Sequence, residues 1–462
     1  MTREEDAGAR GDAEMQVLLP MLEPSRDDAA AETTGRFIVI FNEAAAATPS
    51  MVRNSFRDVA GLRSITLSSE LGDASVDEAL GASDAVHFQQ LGVALISSEE
   101  AMAALASTAS DAESPILSIE PEYVARLLVE PLPGPVSAEY LRGYRDAVNH
   151  LYDAVTGGRA TPGDVQVELA QELLRDTPHF TWGLQATRAH TSRFDGQGIR
   201  VAILDTGLDL DHPDFAGRVI SAQSFVPGIA VQDVHGHGTH CIGTACGPAA
   251  PATGVRRYGV APGAQIFVAE VFNNDPRPAA ATGDVIAGIE WAVENRCRIA
   301  SLSLGVRINQ KIKQYEVPIR RALNAGTLVV AAAGNNAVRP GDPGYVEAPA
   351  NADQALAVGA VDAGLGVAAF SARSSAVTGV GGIVNVAAPG VAVFSSFPLS
   401  HGTHGQLDGT SMAAPHAAGI AALWAQATGD SGPALWNRLV QSVRPLSASA
   451  SDVGSGLVQA PQ

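Results

Sequence analysis

The chain has 462 residues, with 49 acidic against 30 basic side chains, for a formal net charge of -19. That length supports two or three domains, and the acidic excess excludes a phosphate-binding surface of clustered Lys and Arg, so nucleic acid is not an expected partner. No apolar run is long enough to span a bilayer, and the start, Met1-Thr-Arg-Glu-Glu-Asp6, lacks the apolar core of a secretory signal. The 3 cysteines, Cys241, Cys246 and Cys297, leave at least one thiol free. The expected location is therefore reducing and cytoplasmic, with non-classical export as the alternative.

Residues 1–34 are acidic, Ala-rich and non-periodic, which predicts a disordered leader. Residues 35–130 then read as a strand at Arg36–Phe41, a helix near Thr48–Val59 and a strand at Ile65–Leu71. A strand at Val86–Ile96, a helix at Glu99–Ser107 and a strand at Ile116–Ala125 follow. That order suits a small split βαβ sandwich, an α+β ferredoxin-like unit.

Residues 131–180 predict a connector of two helices. The first carries Tyr140, Tyr144, Val148, Leu151 and Val155 on one face and ends at Gly157-Gly158. The second begins at Thr161-Pro162 with Val165, Leu169 and Leu173 as its stripe. From 181 to 462 the pattern changes to short runs apolar on both faces: Ile199–Leu204, Gln265–Val271, Ile299–Leu304, Thr327–Ala333, Ala355–Val361 and Ile383–Ala388. They alternate with helices such as Ile286–Val293 and Val317–Asn324. This predicts an α/β domain, a mostly parallel sheet with helices on both faces, whose active site gathers at the carboxyl ends of the strands.

Asp205 directly follows the first of these strands and opens Asp-Thr-Gly. Alone, such a carboxylate is as well read as an anchor for loop amides, and an aspartic protease would need a second copy of the motif from a homodimer. In Asp233-Val-His-Gly-His-Gly-Thr-His240, His235, His237 and His240 could ligate zinc, although no His-Glu-x-x-His or paired Cys accompanies them. The alternative is that one imidazole is a general base. Downstream, Asp408-Gly-Thr-Ser-Met-Ala-Ala-Pro-His416 runs into a small-residue helix. Ser411 then stands at the positive end of that helix, where a nucleophile and its oxyanion are stabilised, and Pro415 is expected in the first turn.

Together, Leu204-Asp-Thr-Gly207, His237-Gly-Thr-His240 and Gly409-Thr-Ser-Met-Ala-Ala-Pro-His416 resemble the three signature blocks of the subtilisin family, in the family's order Asp, His, Ser. The resemblance covers about residues 181–430 and extends to Tyr258-Gly-Val-Ala-Pro262, Ser303-Leu-Gly305, Ala331-Ala-Ala-Gly-Asn335 and Ala388-Pro-Gly390. It implies a serine endopeptidase acting through an acyl-enzyme, with Asp205, His237 and Ser411 as triad and Asn335 as oxyanion donor. His401-Gly-Thr-His404 repeats the His block, but no small-residue helix follows it, so His237 is the expected base.

The resemblance also implies protein or peptide substrates held by backbone pairing, with Ser303, Leu304 and Gly305 on one side and Ala333 and Gly334 on the other. Glu347 falls near the floor of the pocket for the residue before the scissile bond, which suggests a preference for Lys or Arg; the plainer reading is a solvated loop carboxylate. Asp214 matches one calcium ligand of the family. Its partner loop, Gly247-Pro-Ala-Ala-Pro-Ala-Thr253, lacks acidic or amide side chains, so no cofactor is required and calcium is in doubt. Cys241 resembles the thiol beneath the triad in the proteinase K branch. Residues 35–130 are similar to an inhibitor-type pro-domain, which would make the chain a zymogen blocked by its own segment.

Overall fold

The computed structural model describes residues 31–128 and 173–462, apart from positions 73, 110, 112 and 376–380. The expected leader up to residue 30 and the helical connector up to 172 lie outside the described residues.

The first body comprises Thr33–Phe41 (β1), Pro49–Ala60 (α1), Ile65–Leu67 (β2), Val76–Ala82 (α2), Ala85–Phe88 (β3), Val93–Ile96 (β4), Glu99–Ala109 (α3) and Ile116–Leu127 (β5). Its strands lie in the order β5-β1-β4-β3-β2. Helix α1 illustrates the local logic. Pro49 opens it where the first amides need no partner, and Gly61 closes it with φ 70. Val52 and Phe56, four residues apart, bury themselves against Phe41 and Leu105, at about 2 kcal/mol each. Along β1 the side chains alternate. Val39 and Phe41 face that core, while Ile38 and Ile40 face the second body.

Two expectations for this body need correction. The apolar run Val86–Ile96 is a hairpin, β3 and β4 joined through Gly92 at φ 59, and not one strand. Its turn includes Leu91, which is itself buried, so hydrophobicity does not mark the break. The strand beginning at Ile65 stops at Leu67, because Ser68–Glu70 form a 3-10 turn, and α2 then links β2 and β3 in parallel. Counting the single helical turn at Glu43–Ala46, the described unit therefore carries one strand and two helices more than the ferredoxin-like plan.

The second body is built on a nine-stranded sheet. Its centre is Arg200–Asp205 (β6), Ile220–Ser224 (β7), Gln265–Glu270 (β8), Ile299–Leu302 (β10), Leu328–Ala332 (β12), Leu356–Val361 (β13) and Val386–Pro389 (β14). All neighbours among these seven are parallel. Ala202, Leu204, Ala300 and Leu302 pack beneath Thr282–Glu294 (α5) and Lys313–Asn324 (α6). Val201, Ile203 and Val330 turn the other way, toward His237–Cys246 (α4) and Thr410–Thr428 (α7). Both faces are covered, which is why these strands read as unbroken apolar runs.

The two bodies meet along β5. Beyond its own sheet, Val124–Arg126 pair antiparallel with Ala279–Ala281 (β9), and Arg126 and Leu127 pair with Gly305 and Leu304 (β11). Carboxylates from β5 also cap the second body's helices. Glu122 Oε1 accepts the Gly283 amide at 2.7 Å, and Glu120 accepts the amides of Lys313 and Gln314. First-turn amides have no partners within the helix, so an anion there satisfies both hydrogen bonding and the helix dipole. Arg321 on α6 reciprocates by donating to the carbonyls of Phe41, Leu91 and Gly92.

Candidate active site

Asp205 ends β6, and His237 is the first residue of α4. Strand end and helix start bring Asp205 Oδ1 to 2.6 Å from His237 Nδ1, with both side chains buried. The same oxygen accepts the Thr206 amide at 2.8 Å. One turn along α4, Cys241 Sγ lies 3.8 Å from His237 Nδ1 and 3.5 Å from the Ser411 carbonyl oxygen, so a single thiol touches the His and Ser elements. Burial pushes that thiol well up, and the nearby Asp205 adds to it, which keeps Cys241 neutral.

Ser411 is the second residue of α7, after Gly409 and Thr410. Pro415 is not in the first turn as expected; it lies inside the helix, four residues after Ser411. Lacking an N–H, it leaves the Ser411 carbonyl without its helical partner. Ser303 Oγ and Cys241 Sγ donate to that carbonyl instead, at 2.8 and 3.5 Å. The proline thus opens a bonding position that fastens the serine to β10–β11 and α4.

The Ser411 hydroxyl donates to the Leu128 carbonyl oxygen at 2.6 Å, with a longer contact of 3.2 Å to Ser303 O. Asn335 Nδ2 donates to the same Leu128 oxygen at 2.7 Å. Thr410 orients that amide, since its N–H and hydroxyl both bond Asn335 Oδ1. A Cβ on Gly409, whose φ is +153, would come within 2.9 Å of Leu128 O, so glycine here makes room for the carbonyl. His237 Nε2 has no hydrogen bond among the described residues, because the serine hydroxyl is turned to Leu128.

Leu128 continues the β5 pairing, with its amide 3.5 Å from Ser303 O. A Cβ on Gly305 would meet both Glu347 Oε2 and the Leu128 methyls, at 2.6 and 3.0 Å, and one on Gly334 would meet Glu347 Cγ at 3.3 Å. The Leu128 side chain and the Glu347 carboxylate thus both lie against Gly305, and Glu347 also lies against Gly334. Glu347 is buried, so the plain reading of a solvated loop carboxylate is corrected; its Oε1 accepts Asn336 Nδ2 at 2.7 Å, and its amide bonds Ala333 O.

The three histidines weighed as zinc ligands do not form one ligand group among the described residues. His240 turns to the Val393 carbonyl, and burial lowers its pKa to about 3. In the repeated His block, His404 lies on a strand and reaches Asp214 instead. Sequence reasoning assigned no role to Leu128, Thr410 or Asp233, although the change from an apolar strand to Val129-Glu-Pro-Leu-Pro-Gly134 is a legible boundary.

A family model described as the subtilase family matches residues 196–456. The chain belongs to the subtilase family. It is similar to subtilisin BL from Lederbergia lenta, 38% identical over 284 residues that make up 60% of this chain and 96% of the relative. Alkaline protease from Alkalihalobacillus alcalophilus is 37% identical over 65% of this chain and 73% of that protein, and thermitase from Thermoactinomyces vulgaris is 38% identical over 50% and 76%. This subtilase is thus a serine endopeptidase, a hydrolase acting on protein or peptide substrates.

The calcium position implied by the family does not fit the residues present here. Asp214 accepts from the Thr253 amide and hydroxyl, Tyr258 Oη at 2.7 Å and His404 Nε2 at 3.0 Å. Burial pushes its carboxyl up, but these donors outweigh burial and hold it below the usual range. A hard cation wants six or more oxygen ligands; this carboxylate is already saturated by protein donors, with imidazoles beside it.

Proposed function

We propose that this endopeptidase works through Asp205, His237 and Ser411, is made as a zymogen, and cuts itself between Leu128 and Val129. The observation that carries the reading is the Leu128 carbonyl oxygen, 2.6 Å from Ser411 Oγ and 2.7 Å from Asn335 Nδ2. A carbonyl held between nucleophile and preorganised donor is poised to become an oxyanion.

In this reading His237 Nε2 takes the Ser411 proton as Oγ bonds to the Leu128 carbonyl carbon, and Asp205 stabilises the imidazolium. Asn335 Nδ2 and the Ser411 N–H hold the oxyanion. Collapse breaks the Leu128–Val129 bond, the amine of Val129 leaves with the proton from His237, and water then releases Leu128 as a carboxylate. Segment 31–128 keeps its own sheet and its caps on α5 and α6, so the cut product stays seated as an inhibitor. The buried Glu347 carboxylate against Gly305 supports a second preference, for Lys or Arg in other substrates.

Mass spectrometry of the purified chain tests this. Wild type is expected to yield a fragment ending at Leu128 and one starting at Val129, while Ser411→Ala stays at full length. Equal full-length masses for both would end the self-processing claim. Labelling by a fluorophosphonate, abolished by Ser411→Ala, tests the nucleophile separately.

A further inference from the structure

We infer that Asp233 is the positioning residue of the catalytic pair: its carboxylate ties the strand end that carries Asp205 to the helix start that carries His237. The inference rests on the roles proposed for those two residues and adds what holds them in register.

Asp233 is 2% exposed and receives five donors. On Oδ1 these are Thr206 Oγ1 at 3.0 Å and the amides of His235 and Gly236 at 2.9 and 2.7 Å. On Oδ2 they are the amide and hydroxyl of Thr239, at 2.9 and 2.7 Å. Three of the five partners are backbone amides, which can only donate, so these bonds favour the ionised carboxylate, against burial, which pushes its pKa up. Such charge-assisted bonds are shorter and stronger than neutral ones.

The two threonines are what make this more than a helix cap. Thr206, next to Asp205, donates its hydroxyl proton to Asp233 and accepts the amide of Gly238, next to His237, at 2.9 Å. Thr239 donates to Asp233 and accepts the amide of Asp209, back on the Asp205 side, at 3.0 Å. Each hydroxyl therefore bridges the two segments and is oriented by the same carboxylate. Between them the backbones nearly touch, since a Cβ on Gly238 would lie 2.2 Å from Gly207 O. The 2.6 Å contact of Asp205 with His237 is spanned on both sides by bonds that converge on Asp233.

The test compares Asp233→Asn, Thr206→Val and Thr206→Ser in the processed enzyme, reading kcat, KM, the acid limb of the kcat/KM profile and Tm. Thr206→Val is expected to lower kcat by about tenfold or more with KM nearly unchanged, since about 1 Å of misplacement can cost 10²-fold. Its acid limb is expected to move to lower pH, because a misaligned carboxylate stabilises the imidazolium less. Thr206→Ser, which keeps the hydroxyl, should restore both. A lower Tm with kcat within about twofold of wild type and an unmoved limb would reduce Asp233 to a structural cap and overturn the inference. Should Asp233→Asn not fold, Thr206→Val decides alone, since it leaves the carboxylate four of its donors. Absence of fluorophosphonate labelling in wild type would instead bring down the triad reading itself.

Discussion

Raising the pH from 5.5 to 7.5 is expected to weaken the hold of segment 31–128 on the catalytic body. Glu290 on α5 is covered by that segment, accepting Ser68 Oγ and the amides of Gln90 and Leu91; Glu294 is its charged neighbour. Burial pushes the Glu290 carboxyl from 4.5 to about 7. At 1.36 kcal/mol per pKa unit, that rise of about 2.5 units is worth about 3 kcal/mol at most. Asp284, also on α5, is pushed well up by burial and then by Glu122 of β5, with Arg36 opposing. A group raised on docking favours the docked state fully below its free pKa and loses that contribution as pH climbs through its docked one. For Glu290 the window therefore runs from about 4.5 to about 7, and that one linked proton weakens docking about twentyfold between pH 5.5 and 7.5, with Asp284 adding in the same direction. His87, lowered to about 4 by burial and then by Arg53, belongs to the segment's own core and cancels if the released segment stays folded. Diluting processed enzyme into a fluorogenic peptide at each pH gives the dissociation constant from the concentration dependence of activity. Glu290→Gln with Asp284→Asn should flatten the trend. A constant that stays within twofold, or tightens with rising pH, refutes the linkage.

Asn335→Ala should lower kcat by about 10²–10³ with little change in KM, a magnitude known for the equivalent donor in subtilisin and not worked out for this chain; peptide hydrolysis of the processed variant checks it. EDTA is expected to move Tm by less than about 1 °C, whereas a cation bound only by the folded state would raise it by several degrees. Asp214→Ala should cost about 2 kcal/mol, because the buried Tyr258 hydroxyl loses its acceptor; thermal unfolding with and without calcium reads both. For Glu347→Ala, the ratio of kcat/KM for Arg-ended over Leu-ended peptides is expected to fall about tenfold, and an unchanged ratio rejects the carboxylate as a selector.

Position along the chain was legible where physics leaves a periodic trace. Runs such as Val201–Leu204 and Leu328–Ala332 are apolar on both faces because helices cover both sides, so strands and sheet type could be read without coordinates. The same trace failed at Val86–Ile96, where the turn buries Leu91 and hides a hairpin inside one apolar stretch. The candidate site residues were legible as motifs, and Asp205, His237 and Ser411 each sit at the end of a strand or the start of a helix. What holds them was not. Asp233 and Thr206 lie inside the quoted blocks, yet their bond joins residues 27 positions apart, and no local period records it.

Leu128 was the hardest to foresee, because its meaning comes from what it touches and not from its type. As a leucine just past a strand end it is ordinary; 283 positions along the chain, Ser411 Oγ donates to its carbonyl oxygen. The strand pairing of β5 with β9 and β11 fixes its reach, since Arg126 and Leu127 are already in register with Gly305 and Leu304. One residue further in that register must be Leu128, and with it the carbonyl that meets Asn335. The candidate cut site is therefore set by sheet register, and a one-residue slip of β5 would deliver Leu127 or Val129 and turn every side chain to the opposite face.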